Sequence, residues 1–314
     1  MTPLEILVEL GQALLLVLIS PLMYGIVSKF KALMQRRVGA GIFQPYRDLR
    51  RLFRKDEVTS VHCSWLFRGI PYVCMASMIV LAMVVPFVFT GVLAPFGDMV
   101  TVVYIFTLYR FSMVLGGLEG GSTFGGMGSS REMMMSVLIE PALLLSIAAI
   151  AVLSGVGTDM GTMSGDIAKM GVAAVCPALI LAAASFLITL LAENARIPFD
   201  NPTTHLELTM VHEAMILEYS GRSLAMMELS SMMRLTIFMA LMGSLFLPWG
   251  IAYDLEPMSL LVSLIVMALK MLTMAFVLAL AESVLCKTRL FKTPNLLTAS
   301  FTLSLLAMIS LYIL

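Results

Sequence analysis

Apolar residues in this chain come in runs of about twenty, separated by short polar stretches. Leu10–Ser28, Ile70–Thr90, Val172–Leu191 and Leu260–Leu280 are the clearest. A helix rising ~1.5 Å per residue needs ~20 such residues to cross a bilayer core of roughly 30 Å. The runs are too long and too uniformly apolar for barrel strands, in which apolar and polar positions alternate. The pattern predicts an all-α polytopic membrane protein, with one transmembrane domain over 1–314. About eight helices are expected, near 8–28, 70–90, 98–118, 132–153, 172–192, 228–247, 259–281 and 295–314. No internal repeat is visible, so the inverted-repeat plan of many secondary transporters lacks support.

Between Thr203 and Tyr219 the period changes from uniform to amphipathic. Pro198 and Pro202 break any helix, so 193–202 is expected as a turn, with Thr203 or Thr204 capping a new helix toward Tyr219. On that helix His205, Thr209, His212 and Ile216 share one stripe. Glu207, Val211, Ala214 and Glu218 share the opposite one, with Glu213 between. A second amphipathic stretch runs from Tyr46 to Phe53, where Arg alternates with Leu and Phe at helical spacing, as in a helix lying in the membrane interface. The same features suit the anchoring of a cytoplasmic partner, and periodicity alone does not choose.

Composition agrees with the pattern. The chain is 60% hydrophobic and only 13% charged, with mean hydropathy +0.96, whereas a soluble domain carries roughly a quarter charged residues. Zero net charge conceals an asymmetry. The basic loop 29–69 holds Lys29, Lys31, Arg36, Arg37, Arg47, Arg50, Arg51, Arg54, Lys55 and Arg68. Later loops on that side add Arg131, Arg196, Arg222, Lys287, Arg289 and Lys292, while the opposite side has Lys169 alone. The positive-inside rule then puts these loops in the cytoplasm and both termini on the outer, periplasmic side. That bias also accounts for the basic loop without nucleic acid. Glu5 and Glu9 replace the basic start of a cleavable signal, so the first helix is expected to stay in place.

Composition also limits the chemistry. Cys63, Cys74, Cys176 and Cys286 are isolated, which argues against an iron–sulfur or structural zinc site. His62, His205 and His212 flank the predicted helices, leaving no bis-His haem ligands inside the membrane. His205 and His212 are two turns apart, and "HEAMI" lacks the second histidine of a zinc-binding HExxH, so no metal is assigned. The 28 methionines scatter, as adaptable apolar filler does. Any redox centre is expected in a partner.

What stands out is charge placed where it is costly. A charged side chain at mid-bilayer costs ~2.5–3.5 kcal/mol on insertion scales, so survivors usually face a wet interior. Glu140 lies inside the fourth predicted helix beside Pro141, whose missing N–H frees a carbonyl, and Arg110 in the third is its candidate counter-ion. Arg131 and Glu132 sit at the mouth of the fourth. These residues read as a proton path or as a Glu–Arg pair holding helices together. Lys270 is mid-helix, a candidate for a buried pair or relay. Glu282 is expected to snorkel to the interface, and Glu228 and Arg234 to anchor there. The stretch 193–222 holds five of the twenty carboxylates and two of the three histidines. Clustered, partly desolvated carboxylates raise one another's pKa and can exchange protons near neutral pH.

Three motifs in order now matter. "E-x-x-R-x-P-F-D" at Glu193–Asp200, with Glu207-Leu208 and Glu218-Tyr219-Ser220-Gly221, resembles the signature loop of respiratory complex I subunit 1. It is closer still to that subunit's relatives in energy-converting [NiFe] hydrogenases of the formate hydrogenlyase and Ech types. "GAGIFQPYRDLRRLF" (39–53) is similar to those relatives' Gly-rich turn and Q-x-Y-x-D. "GSSREMMMSVLIEP" (128–141) is similar to their Ser-Arg-Glu … Glu-Pro pattern. The resemblance implies a subunit of a prokaryotic cytoplasmic membrane complex with no cofactor of its own. Its partners would be hydrogenase-like large and small subunits carrying the [NiFe] centre and Fe–S clusters, an Fe–S protein, and antiporter-like membrane subunits. It implies roles for Glu140, as a membrane-embedded carboxylate of the proton path, and for Arg196, Asp200, Glu207 and Glu218 in the loop. With the groups read above, the expected proton (or Na⁺) path comprises Glu140, Glu132, Glu193, Asp200, Glu207, Glu213, Glu218, His205, His212 and Lys270, with Arg110, Arg131 and Arg196 as charge partners. Arg36, Arg37, Gln44, Tyr46, Arg47 and Asp48 would dock the arm. Thr203 and His205 stand where complex I has further carboxylates, His212 and Glu213 come with an insertion before Glu218, and Ala40 replaces a usual Pro. These departures favour the hydrogenase branch over a quinone chamber. A quinone-chamber subunit and a purely structural anchor are the alternatives.

Overall fold

In a computed structural model of the chain, the described residues are 3–60, 63–91, 96–155, 157–200, 210–253, 256–288 and 292–313. A helix lies at each of the eight predicted places: α1 (Pro3–Met34), α3 (Trp65–Val84), α4 (Met99–Glu119), α5 (Thr123–Ser154), α7 (Pro177–Glu193), α9 (Gly221–Leu241), α10 (Pro257–Val284) and α11 (Thr293–Ile313). Among the described residues, seven are long and apolar enough to cross a membrane, and α7, at 17 residues, falls short of that length. Three short helices complete the order: α2 (Gln44–Arg54), α6 (Met160–Met170) and α8 (His212–Ile216).

Local chemistry explains where the boundaries differ from expectation. α3 stops at Val84, not near 90, because Pro86 disfavours helical backbone at the residue before it. α5 starts nine residues earlier than predicted, where the Ser122 hydroxyl accepts from Gly125 N at 3.1 Å. It ends at Gly155, whose φ of 71° is the left-handed conformation that glycine adopts without strain. α7 begins at Pro177, in the first turn where proline lacks no needed donor. α6 was not predicted: an eleven-residue segment with two glycines and two charges makes no long apolar run.

The expected continuous helix toward Tyr219 is not there. Met210 and Val211 are non-helical, and α8 is a five-residue turn of helix. The Val211 amide is held instead by the Asp200 carboxylate, which accepts from it at 3.0 Å. His205 and Glu207 lie outside the described residues.

α9 occupies the middle of the bundle, packed by α1, α2 and α3, and buries most of its length. α4, α5, α7 and α11 pack beside one another. Ser185 of α7 and Ser300 of α11 exchange hydrogen bonds at 2.8–3.0 Å, and Phe106, Phe186, Phe238 and Phe246 interlock with ring centroids 4.3–5.9 Å apart. In a bilayer such close packing and interhelical hydrogen bonds supply most of the association energy. α2, α8 and the turn after α7 gather at one end of the bundle. α6 lies at the other, against the π turn Met242–Phe246 that closes α9.

Candidate functional site

The site begins with register. α4 and α5 run antiparallel through a tight turn, and the Ser129 hydroxyl donates to the Val114 carbonyl at 3.0 Å. Four residues back along α4 and three residues on along α5, this brings Arg110 level with Glu132. The Arg110 side chain is 2% exposed and meets three carboxylates. Its Nε is 3.3 Å from Glu132, its Nη1 is 3.3 Å from Glu140, and its Nη2 contacts Glu193 at the end of α7. Only the Glu140 contact has hydrogen-bond geometry; Nε and Nη2 are held by charge and proximity. Glu132 is thus a buried bundle residue and not one at a helix mouth, because α5 starts so much earlier. Its neighbour Arg131 is partly buried and donates to the Met210 carbonyl at 3.1 Å.

Three residues beyond Glu193, the turn built by Arg196 N→Leu191 O (2.9 Å) and Asp200 N→Arg196 O (3.2 Å) presents a second cluster of opposite balance. Arg196 Nη1 lies 2.9 Å from Glu282, and Lys31 Nζ 2.8 Å from the same carboxylate. The guanidinium also stacks 4.9 Å over the Tyr24 ring. Glu282 does not snorkel: it is 3% exposed and locked between two cations from α1 and the turn. Asp200 closes the turn, pairing with Lys287 at 3.0 Å while holding Val211 N.

α8 carries the next pair. His212 is buried, with Nε2 3.4 Å from the Ser231 hydroxyl. Burial, helped by the positive charge of Arg234, pushes its pKa down to about 3, so the imidazole is neutral. Burial, and secondarily the charge of Asp200, holds the Glu213 carboxyl above its ordinary range. Both residues line a cavity of about 560 Å³ between α1, α2 and α9, together with Tyr24, Asp48, Arg51 and Glu228. A smaller void of about 40 Å³ shares Tyr24, His212, Glu213 and Ser231 with it and reaches Arg196 and Asp200. Polar groups therefore line a way from the cavity to the turn that ends in the Arg110 cluster. Glu218, by contrast, is exposed.

Lys270 is a buried-side neighbour of α9 without a carboxylate partner among the described residues; its Nζ donates to the Gly243 carbonyl at 3.2 Å, inside the π turn. Arg234 is a correction to the sequence reading. It is 2% exposed, not interfacial, with its guanidinium 5.0 Å from the Tyr109 ring and with Nε and Nη2 unbonded among the described residues.

Comparison with known proteins places the fold and the sequence. The closely superposable solved structure of a membrane-bound sulfane sulfur reductase, an archaeal respiratory membrane complex, has a chain with TM-score 0.85 at 20% identity, over 98% of this chain and 99% of that one. At that identity the likeness concerns the fold. Hydrogenase-4 component C of Escherichia coli (strain K12) is 35% identical over 305 residues, 96% of this chain and 94% of that protein. Formate hydrogenlyase subunit 4 of the same strain is 32% identical over 308 residues, 98% and 99% respectively. The NADH dehydrogenase family profile matches residues 8–313.

The chain belongs to the NADH dehydrogenase subunit 1 family. It is a multi-pass membrane protein with bacterial homologues. On this family member the motifs of the sequence converge in space: Glu132, Glu140 and Glu193 meet at Arg110, and Arg196 and Asp200 line the void behind the cavity. In the basic loop, Arg36 and Arg37 are exposed, Gln44 Nε2 donates to Asp48 at 2.9 Å, and the Tyr46 hydroxyl donates to the Leu18 carbonyl of α1. Sequence reasoning missed Lys31 and Lys287 as partners and placed Glu282 at the interface instead of between Arg196 and Lys31. Their signal was depth: all three lie at helix ends on the side of the bundle where Arg196 and Asp200 emerge, so charges there had to be matched across helices.

Proposed function

We propose that this chain is the membrane subunit of a hydrogenase-type complex, docking a peripheral arm and coupling its electron transfer to the movement of protons, or of Na⁺. The observation that carries the proposal is the Arg110 cluster. One guanidinium facing three carboxylates leaves a formal excess of two negative charges in a buried site. A charge at such a place is costly unless a mobile cation or proton shares it, and Glu193 of the cluster adjoins in sequence the Asn194–Arg196 segment that lines the void behind the cavity.

In this reading the redox groups, [NiFe] and Fe–S, belong to partner subunits; the names of the two bacterial relatives, a hydrogenase-4 component and a formate hydrogenlyase subunit, support membership of a hydrogenase-type complex. A change of charge at the arm alters the field at Asp200, His212 and Glu213. The perturbation passes through the 193–200 turn to Glu193, and from there to Glu132 and Glu140 through their common arginine. Arg36, Arg37, Gln44, Tyr46, Arg47 and Asp48 form the docking side. The 560 Å³ cavity favours a second reading, in which an amphiphilic quinone occupies it as in a complex I-type oxidoreductase.

The test is isolation of the chain with its neighbours in mild detergent and reconstitution of that complex in sealed vesicles. A co-purifying [NiFe] large subunit, with cation uptake that starts and stops with electron transfer, is the expected result. Quinone-dependent turnover would favour the second reading. Electron transfer with no ion movement in tight vesicles would reduce the chain to an anchor.

A further inference from the structure

α2 carries four arginines on eleven residues, and Arg47, Arg50, Arg51 and Arg54 together line a cleft of about 300 Å³. Among the described residues the one carboxylate that reaches them is Asp48, 3.6 Å from Arg51. Four like charges in one cleft repel unless an anion sits among them. The question is what anion this place in the fold offers.

Depth answers it. The inner face of α2, Pro45 and Leu49, is buried, and Leu49 packs on Ala225 and Met232, about one and three turns into α9, whose membrane span starts at Gly221. Tyr46 reaches the Leu18 carbonyl, and the Ile42 backbone presses so closely on Gly25 that a Cβ there would collide with it. Leu18 and Gly25 lie about 22 and 33 Å along α1 from Pro3, at ~1.5 Å per residue, against a bilayer core of roughly 30 Å. α2 therefore packs at the level where these spans reach the edge of the hydrocarbon and not above it. Its open side adds Phe43, 61% exposed, and Phe53, 43% exposed, beside the arginines. Exposed aromatic rings and basic side chains together on one short helix at that level are the composition of a helix seated in lipid.

We infer that the arginine cleft of α2 is a binding site for the phosphate of an anionic phospholipid headgroup, with Phe43 and Phe53 set in the acyl boundary. The cleft shares Arg47 with the docking side proposed above and is otherwise formed by Arg50, Arg51 and Arg54. Arginine suits the role because its planar fork meets phosphate oxygens two at a time. The lipid occupant fixes α2, and with it the wall of the cavity that Asp48 and Arg51 share.

The test uses the intact complex in nanodiscs containing a photoactivatable phosphatidylglycerol or, in parallel, the phosphatidylcholine analogue. The anionic probe is expected to label residues 43–54 at least about fivefold more than the zwitterionic one, roughly the effect of one basic residue at an anionic surface. Arg50→Gln with Arg54→Gln is expected to remove most of that preference, and Arg50→Lys with Arg54→Lys to keep part of it. Because the wild-type labelling stands alone, a variant that fails to assemble leaves the proposal testable. Equal labelling by both probes would overturn it, as would displacement of the anionic probe by millimolar inorganic phosphate. Labelling that appears only after the peripheral arm is stripped would also overturn it, assigning the cleft to an acidic protein surface.

Discussion

Two buried charge clusters lie one turn of chain apart, and they are opposites. At Arg110 one cation faces three carboxylates; at Glu282 one carboxylate faces two cations, Arg196 and Lys31. Each draws its members from three segments: α4, α5 and α7 in the first, α1, α10 and the 193–200 turn in the second. The first has negative charge to spare and thus a reason to take up a proton. The second has none, so its carboxylate serves as a clamp between helices. The same amino-acid types do different work because of their ratio, and Glu193 and Arg196, three residues apart, tie the two together.

The largest expected break comes from Arg110→Met, which leaves three carboxylates buried without their cation. Removing one partner of a buried ion pair costs about 3–5 kcal/mol, so the variant should show a clear loss of thermal stability in detergent or fail to assemble. A somewhat smaller effect separates the clusters directly. Glu282→Gln strands two cations and should cost about 2–4 kcal/mol in the same assay, whereas Glu132→Gln removes one of three like charges and should cost under about 1 kcal/mol. Equal losses in the two variants would erase the distinction.

An effect below that of Arg110→Met is a pH dependence at the cavity. Because the buried His212 has its pKa lowered to about 3 from 6.5, the folded state binds fewer protons than the unfolded one between those values. Its contribution to stability is therefore present above pH 6.5 and shrinks as pH falls below it, by about 2 kcal/mol from pH 6.5 to 5. Glu213, held above its ordinary range, works in the opposite sense: its contribution is full at low pH and lost as pH rises. The difference between wild type and His212→Gln in melting profiles across pH 5–7.5 isolates the histidine, and parallel profiles would refute the assignment.

How much of this was legible in the residues differs between fold and site. The places of the eight predicted helices followed from apolar run length, since crossing a bilayer sets a minimum; seven reach that length and α7 falls short of it. α6 and α8 escaped because short helices held by tertiary contacts leave no such run. α8 in particular begins where Asp200 captures Val211 N, a bond between residues eleven apart that no local period encodes. In the site, the Arg110–Glu140 pairing was foreseen, but the addition of Glu132 and Glu193 depends on helix register and on α5 starting at Thr123. Glu282 and Arg234 were misread for one reason: position along a helix gives depth, not which way the residue faces, and both turn toward the packed centre.

The central claim is that the acid-rich cluster at Arg110 links electron transfer to ion movement, and Glu140 is its member nearest the open side, with 34% of its side chain exposed. The direct measurement is ion uptake per electron transferred by the Glu140→Gln complex reconstituted in sealed vesicles. The account predicts an assembled complex, of near wild-type thermal stability, in which uptake is abolished. An unchanged ratio of ions to electrons in that complex would contradict it.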